Sequence, residues 1–180
     1  PINGLTNAVK SRLFVELALK RIERKMFTLE EVLSKRNQRE ALEFLISKGN
    51  SCGADGMFMA DLKEYWNLNH TIIIDKILSG EYEPGLAKGT EIINKKGKKR
   101  VIYNLTAVDR LICRMFSQKL RRYFEPEFMS SSFAYQENKG VVSAVALAQK
   151  FIAEGNKLVV EIDLKDYFEQ ISHDKMISCL

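Results

Sequence analysis

The stretch that most restricts the fold runs from Lys157 to His173. Gly155-Asn156 marks a turn, and Leu158, Val159, Val160 and Ile162 then form a short apolar run rich in β-branched residues, the composition of a buried strand. Asp163 closes the run where such a strand would emerge. A carboxylate at that position bears a desolvation cost unless a cation or hydrogen-bond donors meet it. The residues alone leave two readings open: Asp163 caps the next turn, or it holds divalent cations such as a pair of Mg²⁺ ions.

The 180 residues are enough for a sizeable core, and 46% hydrophobic with 28% charged residues excludes disorder as the default state. The net charge of +5 is unevenly placed. From Lys88 to Arg122 there are eleven basic residues against Glu91 and Asp109, a net of +9 that leaves the rest of the chain at −4. Such a focused patch points to a polyanionic partner. Cys52, Cys113 and Cys179 are far apart and accompanied by only two histidines, His70 and His173, so neither a disulfide scaffold nor a zinc site is indicated. No apolar run has membrane-span length and no secretion signal opens the chain, so the expectation is a cytoplasmic protein without a membrane partner.

Along the chain, Leu5, Ala8, Val9, Leu13, Leu17 and Ile22 have the spacing of an amphipathic helix whose other side is basic, either a solvated face or an RNA contact. Thr28 and Glu31 form a capping box that starts a helix near Leu29, and Arg39 to Lys48 continues with Ala41, Leu42, Leu45 and Ile46 as its apolar face. Gly53-Ala54-Asp55-Gly56 reads as a turn, and it lacks the Gly-Lys-Ser/Thr ending of a phosphate loop. A helix is predicted from Asp61 through Tyr65 and another from Thr71 to Leu78, stopped by Gly80 and kept from resuming by Pro84.

Residues 90–94 and 100–104 are β-rich runs around Lys95-Lys96-Gly97-Lys98-Lys99, which predicts a β-hairpin with Gly97 in its turn. Five of the six residues from Lys95 to Arg100 are cationic, a charge density that a polyanion would relieve, although lysines on an edge also deter aggregation. Thr106 is placed to cap a helix with Asp109 at its third position, carrying Leu111, Ile112, Met115, Phe116 and Leu120, and Glu125-Pro126 ends it. Arg110 suits either a structural ion pair or a phosphate contact. The polar segment 130–140 contains Phe133, read as a core anchor, and Val141 to Glu154 is an amphipathic helix returning the chain to the Asp163 run.

The blocks Gly53-x-Asp55-Gly56, Gly80-x-Tyr82-x-Pro84, the basic hairpin, Asp109-Arg110 and Asp163-x-x-Asp166-x-Phe168-x-x-Ile171-x-His173 occur in an order that resembles reverse transcriptases. The likeness is greatest to those encoded by group II introns and their bacterial relatives, and it runs from about Ser51 to Leu180. It implies an RNA-directed DNA polymerase using two Mg²⁺ ions, with an RNA template or intron RNA, a DNA primer and a dNTP as partners. On that resemblance Asp163 is a metal ligand, Leu164 lends its carbonyl to one metal, and Phe168 blocks the ribose 2′-hydroxyl. Arg100 and Lys95 would neutralise the triphosphate, and Lys96, Lys98, Lys99, Arg110 and Arg114 would contact RNA.

The chain also departs from the pattern. Val101 stands where the family has proline, Lys95 takes the lysine's place only with a hairpin one residue shorter than the family's, and the arginines of the 130–140 block are missing, with Gln136 and Lys139 as candidates to substitute. The second metal motif, an aromatic followed by x-Asp-Asp, does not occur, so the chain is expected to be a fragment that is inactive alone. The expected fold class is α+β, mostly helical fingers with a basic β-hairpin and the first palm strand of a right-hand polymerase. Its division is a helical extension at 1–50, fingers at 51–130, and at 131–180 the junction and the start of the palm. A strand edge left unpaired makes a homodimer an expectation too. The competing reading is a non-catalytic, maturase-like RNA-binding module, and a defence or CRISPR-linked reverse transcriptase shares the same blocks.

Overall fold

In the computed structural model, residues 27–49, 51–93, 97, 99–164 and 167–178 are described. The amphipathic segment 5–25, the hairpin-tip lysines Lys95, Lys96 and Lys98, Asp166 and Cys179 lie outside them, as do the side chains of Phe168 and His173. The chain divides into two compact units, Phe27–Tyr123 and a second that includes residues 124–180. Among the described residues there are helices and one antiparallel strand pair, so the fold is mixed α and β.

The first unit begins as the sequence predicts. Thr28 Oγ1 accepts from the Glu31 amide at 3.3 Å and the Glu31 carboxylate accepts from the Thr28 amide at 3.1 Å, a complete capping box. The helix it starts, α1 (Leu29–Val32), lasts one turn before Ser34 opens α2 (Lys35–Ser47). The two helices predicted between residues 61 and 78 are one, α3 (Leu62–Ser79). Asn67, Asn69 and His70 each cost only a few tenths of a kcal/mol in a helix, too little to break it. Leu62, Trp66 and Ile73 hold one face of the continuous helix in the core. Gly80, at φ 77°, ends α3, with its own amide bonded to the Ile77 carbonyl and the Glu81 amide to that of Lys76, the paired bonds of a Schellman cap.

Strands β1 (Lys88–Ile93) and β2 (Lys99–Asn104) follow, then α4 (Ala107–Phe124). The core gathers Val32 and Leu33, Ala41 and Leu42 of α2, Met59, the buried face of α3, and Ala107, Leu111 and Met115 of α4. Residues 27–47 therefore share a core with the segments after residue 50. A feature the hydrophobic pattern did not reveal lies between α2 and α4. The buried Asn37 donates to the carbonyls of Val32 (2.7 Å) and Met115 (3.0 Å), and Gln118 donates to Asn37 Oδ1 at 2.8 Å. Among the described residues no buried side-chain nitrogen or oxygen lacks a partner. At the surface Glu40 joins Arg36 of its own helix (2.9 Å) to Arg122 of α4 (2.5 Å), and the two arginines, Arg36 first, hold its carboxyl below the ordinary 4.5.

In the second unit a 3₁₀ turn at Glu125–Glu127 leads into a loop whose Tyr135 and Asn138 take left-handed backbone angles, then α5 (Val141–Ala153). Gly155, at φ 94°, ends α5 as the Gly155-Asn156 turn predicted. The run that follows is not a strand. Residues 156–164 carry no sheet pairing, and Leu158 and Val159 are 92% and 86% exposed. A strand exists only through a neighbour's hydrogen bonds, and the described strands, β1 and β2, pair with each other. Phe133, expected as a core anchor, is half-buried, and none of the unit's described residues is fully buried. Short helices α6 (Tyr167–Gln170) and α7 (His173–Ser178) close the chain.

Candidate nucleic-acid interface

The basic hairpin is the candidate surface of the first unit, and its register decides what each side chain can reach. Ile92 pairs with Arg100 and Ile93 with Lys99, with Thr90 opposite Ile102 and Glu91 opposite Val101. Alternation along a strand therefore places Arg100 on one face with Ile92 and Ile102, and Lys99 on the other with Glu91 and Tyr103. Lys99 Nζ makes a 3.2 Å ion pair with Glu91 in full solvent, which is worth little to stability. Every residue of both strands is exposed. An isolated two-stranded hairpin is marginal in water, so its orientation has to be fixed at its base.

That base is built on the first turn of α4. Asp109, 5% exposed, accepts from Tyr82 Oη at 2.7 Å on one carboxylate oxygen. On the other it accepts from the Gly85 amide at 2.9 Å and from Thr106 Oγ1 at 2.5 Å. Thr106 Oγ1 in turn accepts the Asp109 amide at 3.1 Å, the N-cap bond that the sequence predicted. Tyr82 and Gly85 belong to the leg entering β1, so Asp109 ties that leg to the helix. A Cβ on Gly85 would collide with Thr106 Cγ2, and only glycine lets the leg come so close.

The leg leaving β2 is held by the turn at residues 51–59. Cys52 pairs with Phe58 as an isolated bridge, and this loop presents Asp55 to the start of α4. The Ala107 amide donates to both Asp55 oxygens at 3.3 Å, and the Ala54 amide donates to the Leu105 carbonyl at 2.9 Å. An added Cβ on Gly53 would overlap Asp55 Oδ1 and sit 2.6 Å from the Ala107 nitrogen. Gly53-x-Asp55-Gly56 is thus a remote cap for α4, supplied from more than fifty residues upstream.

Arg110 and Arg114, expected on RNA, are engaged within the protein. Arg110 donates to the Cys52 carbonyl at 2.9 Å and to Ser51 Oγ at 3.3 Å. The Arg114 guanidinium lies 3.4 Å from the centre of the Phe44 ring, and its Nε donates to Gln118. Lys139 and Gln136 hold their own loop, Lys139 through the Ser132 carbonyl at 3.1 Å and Gln136 through Ser132 Oγ at 2.6 Å. Of the hub residues, Tyr82 and Asp55 lie within the blocks named above and Gly85 falls just beyond one, and their partners are 24 to 52 positions away, beyond what spacing can show.

Burial, the hydrogen bond to Asp109 and its negative charge together push the Tyr82 hydroxyl well above its ordinary 10.0. The folded state then holds a proton that the unfolded chain releases, so the linked stability is intact below pH 10 and declines as pH rises past it. Chemical denaturation between about pH 9 and 11 is expected to show this loss in the parent and a flatter profile in Tyr82→Phe. Equal slopes in the two proteins would count against a Tyr82–Asp109 bond.

In the second unit Asp163 lies in the exposed segment between Ile162, 84% exposed, and Leu164, 65% exposed. Among the described residues no group of three or more His, Cys, Asp and Glu side chains comes together. One carboxylate and one carbonyl fall short of the ligands that two Mg²⁺ ions require, so the described residues do not by themselves form that site. No described helix is long and apolar enough to cross a membrane.

Residues 92–180 match the family described as reverse transcriptase (RNA-dependent DNA polymerase), a match that takes in β2, α4 and the Asp163 segment. The chain is also similar to Protein YkfC of Escherichia coli (strain K12), 26% identical over 134 residues. That alignment covers 72% of this chain and 35% of the relative, so the chain spans about a third of that protein's length.

Proposed function

We propose that the chain is the nucleotide- and template-handling part of an RNA-directed DNA polymerase of the group II intron-encoded kind, acting within a longer parent. The observation that carries this reading is the solvent-facing basic hairpin tied at both legs to the start of α4, with the family likeness beginning within its first strand. A cationic arm anchored at its base suits a triphosphate or a phosphate backbone, since less of the ordering cost then falls on binding. Arg100 serves the incoming triphosphate from one face of the hairpin, and Lys95 is assigned to the same phosphate by the family resemblance alone. Lys99, on the other face, together with Lys96 and Lys98 serves the RNA backbone. Asp163 contributes one of several carboxylates toward the metal ions, Leu164 its carbonyl, and Phe168 guards the sugar.

The second reading, a maturase-like module that grips RNA without catalysis, is favoured by the concentration of charge between Lys88 and Arg122. Both readings expect that neutralising Lys96, Lys98 and Lys99 weakens RNA binding and lowers its salt slope by about three. Phe168→Ala separates them. Primer extension by the full-length parent on an RNA template should discriminate less between dNTPs and rNTPs, by about tenfold or more, only on the polymerase reading. If that ratio is unchanged in a variant with normal RNA affinity, the sugar-guard role fails.

A further inference from the structure

The first unit contains a groove that the proposed polymerase role does not use. It encloses about 1000 Å³ between α2 and α3. From α2 it is lined by Lys35, Arg39, Leu42 and Ile46, and from α3 by Lys63, Trp66, His70 and Ile74. On each helix these positions recur every three or four residues, so each wall is one helix face followed lengthwise. α2 has 13 residues and is about 20 Å long, room for some three to four turns of a third helix laid alongside. The floor is apolar, with Leu42 9% and Trp66 2% exposed, and Ile46 rises to 36% at the edge. Lys35, Arg39 and Lys63 stand exposed along the rim, against a single acid, Glu43.

We propose that this groove docks an amphipathic helix of a partner protein, apolar along one face and acidic along its flanks. The two-helix walls specify the shape of the occupant, the floor its apolar stripe, and the rim its charge. Two other occupants fit less well. Single-stranded RNA would want an exposed ring to stack on, whereas Trp66 is covered and its Nε1 donates to Gln38 at 3.1 Å. The chain's own segment 5–25 carries six lysines and arginines against two glutamates and would be repelled by the rim.

The test uses the 180-residue chain and Trp66 emission, since Trp66 is its one tryptophan. The probe is a synthetic helix of about 18 residues with leucines at i, i+3, i+4 and i+7 and glutamates beside them. Saturable binding in the micromolar range is expected, weakening about tenfold when the glutamates become lysines. The preference should reverse on the variant Lys35→Glu, Arg39→Glu, Lys63→Glu, three exposed positions whose change leaves the core intact. The peptide swap on the parent chain gives the same discrimination without any variant. The proposal is overturned by no saturable change, by affinity indifferent to flank charge, or by tighter binding of an RNA oligonucleotide or of a peptide with the sequence of residues 5–25.

Discussion

Replacing Asp109 by alanine is expected to destabilise the Phe27–Tyr123 unit by about 3 to 5 kcal/mol, lowering its melting temperature by on the order of 15 °C or more. The reason is the number of donors left behind. Tyr82 Oη, Thr106 Oγ1 and the Gly85 amide all point at this one carboxylate, in a place water barely reaches. Each orphaned donor costs about 1 to 3 kcal/mol, partly offset if water enters the space left by the side chain. Asp109→Asn should cost much less, about 1 kcal/mol. Its carbonyl oxygen can still accept from Gly85 and Thr106, and its amide can donate to Tyr82 Oη, which then acts as acceptor. Thermal unfolding followed by circular dichroism would rank the three proteins, and hydrogen exchange at Gly85 would locate the loss. Near-equal melting of Asp109→Ala and the parent would remove the hub from this account. On the proposed function the same hub also bears on turnover, because loosening it frees the arm that carries Arg100 without altering any cation on it.

What the sequence disclosed, and what it withheld, follows from the range of the physics involved. The capping box at Thr28, the stop at Gly80, the hairpin about Gly97 and the cap at Thr106 are decided within four or five residues, and each is where the residues place it. The merging of two helices into α3 was hidden because polar residues in a helix signal exposure, not interruption, and only packing through Trp66 and Ile73 shows that the face continues. Asn37 and Gln118 are polar residues that no hydrophobic pattern marks for burial, yet they are buried partners across 81 positions. Of the site, the cationic hairpin was legible as charge, and its two faces follow from register. The base that fixes it was legible only as a turn at Gly53–Gly56 and a helix start at Thr106, since Gly53, Gly85 and Asp55 acquire their purpose only when the start of α4 lies against them. The run before Asp163 is the reverse case: its composition asks for a strand, and pairing needs a second backbone that no local pattern supplies.

Primer extension by the full-length parent on an RNA template is expected to fall at least about 10³-fold on Asp163→Asn, and the isolated 180-residue chain is expected to show none. The magnitude follows from what the carboxylate would do there. A ligand that bridges cations to a transferring phosphoryl group acts mainly on the transition state, where its loss is worth about 4 kcal/mol. The geometry of this chain sharpens the second half of the expectation. Asp163 stands in an exposed, unpaired segment with no cluster of ligating side chains among the described residues, and a lone carboxylate in water holds Mg²⁺ weakly. RNA affinity supplies the control that separates chemistry from folding, because the cations of the hairpin belong to a different unit from Asp163. Asp163→Asn should therefore bind RNA within about twofold of the parent, with the same salt slope, while extension disappears. Extension retained within about tenfold would remove Asp163 from the metal site. Extension by the isolated chain that survives Asp163→Asn would point to a contaminating enzyme, and extension abolished by that change would show that this piece assembles an active centre unaided.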